Sequence, residues 1–280
     1  MTAEQIMLET MTPEHLDGAF ELSRQVNWPH RREDWELVQS LSRGFVALER
    51  GRVVATTLVT PYGDDAATIN MVIVDASMRG RGLGRMLMEE ALARAGERIC
   101  HLVATLDGLP LYEKLGFVAI GKITQHQGAA LPVGVPDLVS WSDADDHARL
   151  AMLDRAAFGH DRGALMQLLR KRAKFAVIRD EGDVQAFAAL RAFGRDLVVG
   201  PVVARNRTEA QALIDFLLAH HHGRFVRIDT DASTDLGEWL NGRGLAHVGG
   251  GIVMRRSTAA QKDNRTAHYR TYALVNQALG

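Results

Sequence analysis

The chain has 280 residues, 46% hydrophobic and 24% charged, which fits about two domains with a core of ordinary size. Its 33 lysines and arginines nearly balance 34 aspartates and glutamates, and the net charge of −1 excludes a bulk electrostatic case for nucleic acid or an anionic membrane as partner. A single cysteine, Cys100, excludes an internal disulfide framework, the opening MTAEQIMLETMTPEHL lacks the basic start and apolar run of a signal peptide, and no stretch approaches the roughly 20 apolar residues of a membrane span, so the chain reads as cytoplasmic.

In chain order, EQIMLET (4–10) alternates as a first strand. Thr12 caps and Pro13 opens a helix with Leu16, Ala19 and Phe20 on its apolar stripe. REDWELVQSLSRG (32–44) is a second helix, stopped by Gly44. Residues 44–63 form a hairpin around ERGR, and ATINMVIVD (67–75) is another strand. LGRMLMEEALARAG (83–96) is a strong helix, followed by the strand ICHLVAT (99–105), the short helix LPLYEKLG (109–116) and the strand FVAIGKITQH (117–126), which closes the first sheet. A Gly-, Pro- and Ala-rich stretch then marks a boundary: residues 1–127 form one domain, 128–136 a linker and 137–280 a second domain.

The second half echoes the first: two helices (145–158 and 161–174), a hairpin (175–193), a strand (195–204), a helix (208–223), a strand (224–231), a short helix (236–244) and a strand (245–256). The interval from Val74 to Phe117 is 43 positions and that from Val203 to Leu245 is 42, as an internal duplication would leave. The tail (257–280) ends in the apolar YALVNQALG, expected to pack onto the body.

The most informative stretch is VDASMRGRGLGRML (74–87). Gly80, Gly82 and Gly84 lie between a strand end and a helix start, with Arg79, Arg81 and Arg85 among them. A helix N-terminus offers unpaired N–H groups and the positive end of the helix dipole. Glycines let a ligand approach that backbone closely, and arginines add charge-assisted hydrogen bonds. The combination reads as an anion site, most simply for phosphate. Neither a P-loop string nor G-x-G-x-x-G occurs here, so a mononucleotide P-loop and a dinucleotide fold are excluded.

RGRGLG (79–84) matches the R/Q-x-x-G-x-G/A signature of the GNAT superfamily of acyl-CoA-dependent N-acyltransferases, and LYEKLGF (111–117) is similar to that family's second signature. The element order of residues 4–126 resembles the GNAT order, and the second half resembles a degenerate copy. The resemblance implies an α/β class with two tandem GNAT-like domains, each a central, mostly antiparallel twisted sheet flanked by helices. It implies acetyl-CoA as cosubstrate, with the backbone from Arg79 through Gly80, Arg81, Gly82, Leu83 and Gly84 to Arg85 around the pyrophosphate. It also implies that Val72, Ile73 and Val74 splay from the neighbouring strand and bond the pantetheine arm, one of their N–H groups serving the oxyanion. Tyr112 matches the tyrosine of the second signature, whose hydroxyl lies near the CoA sulfur, and is the expected general acid.

Two departures from the family pattern stand out. Where many relatives carry a Glu at the start of the fourth strand, this chain has Thr68, which is no base at neutral pH, and ATLDGLP lacks the Asn that often contacts pantetheine. Candidates for the missing base, which would also border the acceptor site, are His30 and Asp34 between and within the first helices and Asp107 before the Tyr112 helix, with Trp28 as a candidate wall of the acceptor pocket. Asp107 also reads as a plain helix cap, the others as surface or core residues. Cys100 reads as a core thiol. His220, His221 and His222 are consecutive on a helix, about 100° apart, and cannot converge on one metal ion.

In the second half VVARNRTEAQ has no glycine, Thr208 reads as its helix cap, and Leu240 falls opposite Tyr112. That half is therefore expected to buttress the first and close the acceptor cleft, with Asp229 and Asp231 facing a cationic acceptor. The function that follows is transfer of an acetyl group from acetyl-CoA to a primary amine of a small molecule or peptide. The missing Glu keeps open a non-catalytic acyl-CoA-binding or sensing protein.

Overall fold

Continuous apolar runs such as VVATTLVT and AFAAL demand strands covered on both faces, and both lie deep inside one large sheet. The computed structural model describes residues 6–257, 266 and 268–280. The leading half runs β1 (Met7–Thr10), α1 (Leu16–Gln25), α2 (Arg32–Ser40), β2 (Arg43–Glu49), β3 (Arg52–Tyr62), β4 (Ala66–Val74), α3 (Leu83–Ala95), β5 (Ile99–Ala104), α4 (Leu109–Lys114) and β6 (Val118–Ala129). The trailing half runs β7 (Val139–Trp141), α5 (His147–Phe158), α6 (Gly163–Arg172), β8 (Ala173–Asp180), β9 (Asp183–Phe193), β10 (Asp196–Ala204), α7 (Arg207–Ala219), β11 (Phe225–Asp231), α8 (Gly237–Asn241), β12 (Ala246–Arg256) and β13 (Arg270–Ala273). The short strands β7 and β13 are absent from the sequence reading. Residues 4 and 5 of the expected first strand, and 258–265 and 267 of the tail, lie outside the described residues.

The halves repeat each other down to their hairpin turns. Arg50 and Gly51 between β2 and β3, like Glu181 and Gly182 between β8 and β9, all have positive φ, as the twist of a tight two-residue hairpin requires.

The strands form a single 13-stranded sheet in the order β1-β2-β3-β4-β5-β12-β6-β11-β13-β10-β9-β8-β7. It is mostly antiparallel, with parallel pairing between β4 and β5 and between β10 and β11. The centre departs from the expectation that β6 closes the first sheet. Strand β12 from the trailing half pairs with β5, and β6 from the leading half pairs with β11, while β6 and β12 also pair with each other. The halves thus exchange their last strands, so neither completes its own sheet. The exchange pairs both edges that separate sheets would expose, and the outer edges are left to the short strands β1 and β7, which limits edge-to-edge association.

The core follows the same logic. Helices α1 and α2 contribute Leu22, Trp35 and Val38 to one buried cluster, and α5 and α6 contribute Leu150, Leu153, Leu165 and Leu169 to that same cluster. Val275 and Leu279 of the tail complete it, so the tail does pack onto the body. On the opposite side, α3 and α4 bury Met88, Ala91 and Tyr112 against the leading half, while α7 and α8 bury Leu213, Leu217 and Leu240 against the trailing half.

Candidate active site

The site begins where two neighbouring strands part. β4 and β5 pair only from Ala66 opposite Ile99 to Thr68 opposite His101. Beyond that point β4 bulges: its register with β3 shifts between Thr56 and Leu58, and Met71 has φ +51°, an uncommon conformation for a side chain of its size. The hydroxyl of Thr56 donates to the Met71 carbonyl at 2.7 Å and anchors the bulge. β5 leaves, and the β4 backbone from Ile69 onward has no strand on that side among the described residues. Val72 lines the opening, Ile73 points into the core, and Val74 packs near the glycine loop.

The loop is held at its start by Asp75, whose carboxylate accepts from the backbone and hydroxyl of Ser77, from Arg52 at 2.6 Å and from Gln25 at 3.3 Å. The hydrogen bond from Ser77, followed by that from Arg52, holds this carboxyl far below the usual carboxylate range despite its burial. Gly80 (φ +77°) and Gly82 (φ +81°) adopt left-handed conformations, and a Cβ at either would meet only open space. Their bare surface is therefore free for a ligand. Gly84 serves packing instead: a Cβ there would lie 3.4 Å from Leu111. Gly82 caps α3 with no side-chain hydrogen bond, and the first bond closing the helix runs from Met86 N–H to Gly82 O at 3.0 Å. The first-turn donors Leu83, Gly84 and Arg85 consequently face outward without intrahelical partners. Arg81 is bound to Glu49 at 3.1 Å and Arg85 to Glu89 at 2.8 Å, whereas Arg79 has only an exposed contact with Asp107 at 3.9 Å.

The split opens into a cavity of about 370 Å³. Its walls are β4 (Ile69 to Val72), β5 with Thr105, Tyr112, the 27–30 segment and Gln125 of β6. The trailing half adds Phe193, Arg227, the β12 glycines Gly249 and Gly250, and Asn276 to Ala278. Tyr112 is 8% exposed, its hydroxyl bonds to none of the described residues, and burial pushes the phenol up to about 12. Its ring stacks edge-on to Phe117. Trp28 and His30 line the cavity, and Trp35 sits fully buried in the core. Burial, and then the charge of Arg227, holds the His30 imidazole down at about 4. Such a group is neutral at pH 7 and too weak a base for an ammonium.

Asp34 and Asp107 are not in the cavity wall. The Asp34 carboxylate is 2% exposed and accepts from the backbone and side chain of Arg31 and, at 2.9 Å, from the Gly194 N–H of the other half. Burial alone would raise its pKa, but these bonds bring it below the usual range. It ties the two halves together. Asp107 is exposed, and Thr105 rather than Asp107 takes the Gly108 N–H at the start of α4. Cys100 is buried, and burial pushes its thiol up to about 11.

Asn70 and Arg227 are among the polar cavity residues that sequence reasoning missed. Asn70 donates to Thr60 at 2.9 Å and to Thr68 at 3.3 Å, leaving its buried Oδ1 without a partner. Arg227 and Asp229 are two apart on one strand and so share a face, which is all that the sequence shows of this pair. The expectation that Asp229 and Asp231 face a cationic acceptor is overturned. Asp229 is fully buried and bound to Arg227 and Gln277, and Asp231 accepts from Ser233 in a tight turn.

The trailing half carries the same two strand-and-helix features, both filled. Asn206, rather than Thr208, caps α7 by accepting from Glu209 N–H at 2.9 Å, and the Glu209 carboxylate reaches back to Arg205 N–H at 2.9 Å. A carboxylate of the chain itself thus occupies that helix start. β10 and β11 pair only from Leu197 opposite Val226 to Val199 opposite Ile228, and the gap beyond is closed by β13, which pairs with both. At Gly200 an added Cβ would lie 1.8 Å from the Leu274 carbonyl, so no room remains there.

Comparison with known proteins agrees with this layout. The sequence profile described as Acetyltransferase (GNAT) family matches residues 6–117, and that described as Acetyltransferase (GNAT) domain matches residues 150–269. The chain is 29% identical over 278 residues to the uncharacterized N-acetyltransferase YitH of Bacillus subtilis, covering 95% of this chain and 96% of that one. Its fold resembles the crystal structure of a candidate acetyltransferase from Pyrococcus horikoshii, with a TM-score of 0.82 at 18% identity over 100% of this chain and 98% of the other. It also resembles a tandem GNAT protein from the clavulanic acid biosynthesis pathway, with a TM-score of 0.64 at 16% identity over 92% and 100% of the two chains.

Proposed function

The chain belongs to the GNAT acetyltransferases, with two such domains in tandem, and from that premise we propose that its leading half alone moves an acetyl group from acetyl-CoA to a primary amine. The observation that carries this reading is that an open helix N-terminus follows directly on β4, the strand that parts from β5 to open a cavity lined by Tyr112. We propose residues 1–127 as the catalytic unit, 128–136 as the connection, whose first two residues end β6, and 137–280 as the supporting unit. Because of the strand exchange, neither unit is free-standing.

In this reading the N–H groups from Gly80 to Arg85 hold the pyrophosphate, with Arg79 as the assisting cation because its carboxylate contact, at 3.9 Å to Asp107, is looser than those of Arg81 and Arg85. The β4 backbone from Val72 to Val74 bonds the pantetheine arm, and one of its N–H groups serves the developing oxyanion. Burial at Tyr112 guarantees a protonated phenol. Against a thiol of ordinary pKa, about 8.5, a phenol near 12 gives up its proton uphill. Tyr112 therefore acts mainly by donating a hydrogen bond to the departing thiolate. The same burial raises the thiol's own pKa and narrows the gap.

No carboxylate is in the cavity wall among the described residues. The amine must therefore enter as the free base, which its positive surroundings favour by disfavouring the ammonium. Asn70 lines the cavity with its buried Oδ1 unpaired, and in this reading its amide turns to accept one of the amine's N–H groups. Thiol release from acetyl-CoA across a panel of amines tests the function. Turnover with at least one amine is expected. Acetyl-CoA binding without turnover for any amine would replace the transferase with a sensor.

A further inference from the structure

We propose, on the transferase reading above, that the acceptor is a small amine carrying a carboxylate, and that Arg227 binds that carboxylate.

The wall of the cavity, among the described residues, contains one formally charged side chain, Arg227, and no Asp, Glu or Lys. Arg227 is 7% exposed. Its Nε and Nη2 are committed to Asp229 at 2.9 and 3.0 Å, while Nη1 bonds to none of the described residues. A second buried arginine stands behind it. Arg191 on β9 aligns with Val198 on β10, which aligns with Arg227 on β11, so the two arginines share a face about two strand spacings, roughly 10 Å, apart. Both guanidinium groups lie over one ring, that of Phe193, at 5.0 and 5.3 Å from its centroid, and Phe193 lines the cavity.

Arg191 has no carboxylate partner among the described residues. It is 3% exposed, donates to the carbonyls of Ala192 and Val275, and its Nε is buried without a partner. Burial lowers it only to about 10, so it stays charged at neutral pH. Asp34, the other nearby carboxylate, is saturated by Arg31 and Gly194. The local balance is two guanidinium charges against the single charge of Asp229, leaving one positive charge on largely buried side chains. Folding tolerates such an arrangement poorly, so a ligand that neutralises it is favoured. One net charge suits a monoanion. The amides of Gln125, Asn276 and Gln277 around it suit a planar carboxylate, and Asp229 beside it penalises a doubly charged phosphate. The same positive charge disfavours polyamines and other cationic acceptors.

Two arms on the full-length chain separate this proposal from the reading it rests on. The first measures thiol release with amino acids and with the same compounds as carboxamides. Amino acids should exceed their amides in kcat/KM by at least tenfold; equal or faster turnover of the amides overturns the carboxylate proposal and leaves the transferase intact. The second uses ligand-detected NMR in the presence of CoA to compare N-acetyl amino acids with their N-acetyl amides, which needs no turnover. Tighter binding of the carboxylates by tenfold or more is expected, with the preference abolished in Arg227→Met. Because that variant strands the Asp229 charge, the pair-neutral double variant Arg227→Met with Asp229→Asn is measured beside it. A carboxylate preference that survives in a folded double variant overturns the assignment of Arg227. Carboxylate binding without thiol release from any amine would sink the transferase and not the subsite.

Discussion

A phenol held near 12 keeps its proton across the whole range in which an amine is free to attack. Tyr112→Phe should therefore lower kcat by about 100-fold, in line with the loss of one positioned proton donor, while the KM for acetyl-CoA stays within about twofold. Wild-type turnover should show no alkaline limb from this residue up to about pH 10, because the phenol ionises only as the pH approaches 12. His30 gives a prediction of opposite direction. Its pKa falls from 6.5 to about 4 on folding, so its contribution to stability is intact above 6.5, is lost as the pH drops, and is gone below about 4. The shift corresponds to about 3 kcal/mol. Thermal denaturation between pH 7 and pH 4 should show a smaller loss of Tm in His30→Gln than in wild type, and equal losses would refute the buried neutral imidazole. The residues were unevenly legible. Gly80 and Gly82 announced themselves because glycine in that density before a helix has few structural uses, and Tyr112 came with its signature. Arg227 did not, because RFVRIDTD fixes which residues share a face but not that the face looks into the other half of the molecule.

At the scale of elements, the parted strands and the loop act together. Gly82→Ala puts a side chain at φ +81°, which costs about 1 kcal/mol. It should lower Tm by a few degrees and raise the KM for acetyl-CoA about tenfold, read by steady-state kinetics beside a melting curve. The bulge at Met71 had no sequence signal: neither glycine nor proline marks it, and ATINMVIVD reads as an uninterrupted strand. Its positive φ follows from tertiary anchoring through Thr56. The closure of the second split was equally hidden, since β13 is only four residues long in a tail whose pairing partners are about 40 to 70 positions away. What could be read was the loss itself: no glycine before α7 and Leu240 in place of a tyrosine.

For the whole molecule the exchange of β6 and β12 is decisive. Their order in the chain was plain, but strand pairing is non-local, and both strands could satisfy either sheet edge by pattern alone. Residues 1–136 and 137–280 expressed apart should each lack cooperative melting, because each has lost a central strand and its share of the common core. Co-expressed, they should associate and recover thiol release. Two independently folded halves would contradict a shared sheet. Exchange also gives the trailing half a structural part in the site, since it supplies a sheet strand, part of the cavity wall and the cation within it.

Calorimetric titration of the full-length chain with acetyl-CoA tests the central claim most directly, run for wild type and for Gly82→Asp. Aspartate tolerates the left-handed backbone and would meet open space there, but sets a negative charge against a bound phosphate. The expected result is one site per chain, weakened at least tenfold in the variant while its melting temperature falls by no more than a few degrees. Two sites per chain, or undiminished affinity in a folded Gly82→Asp protein, would contradict a single diphosphate cradle at the start of α3.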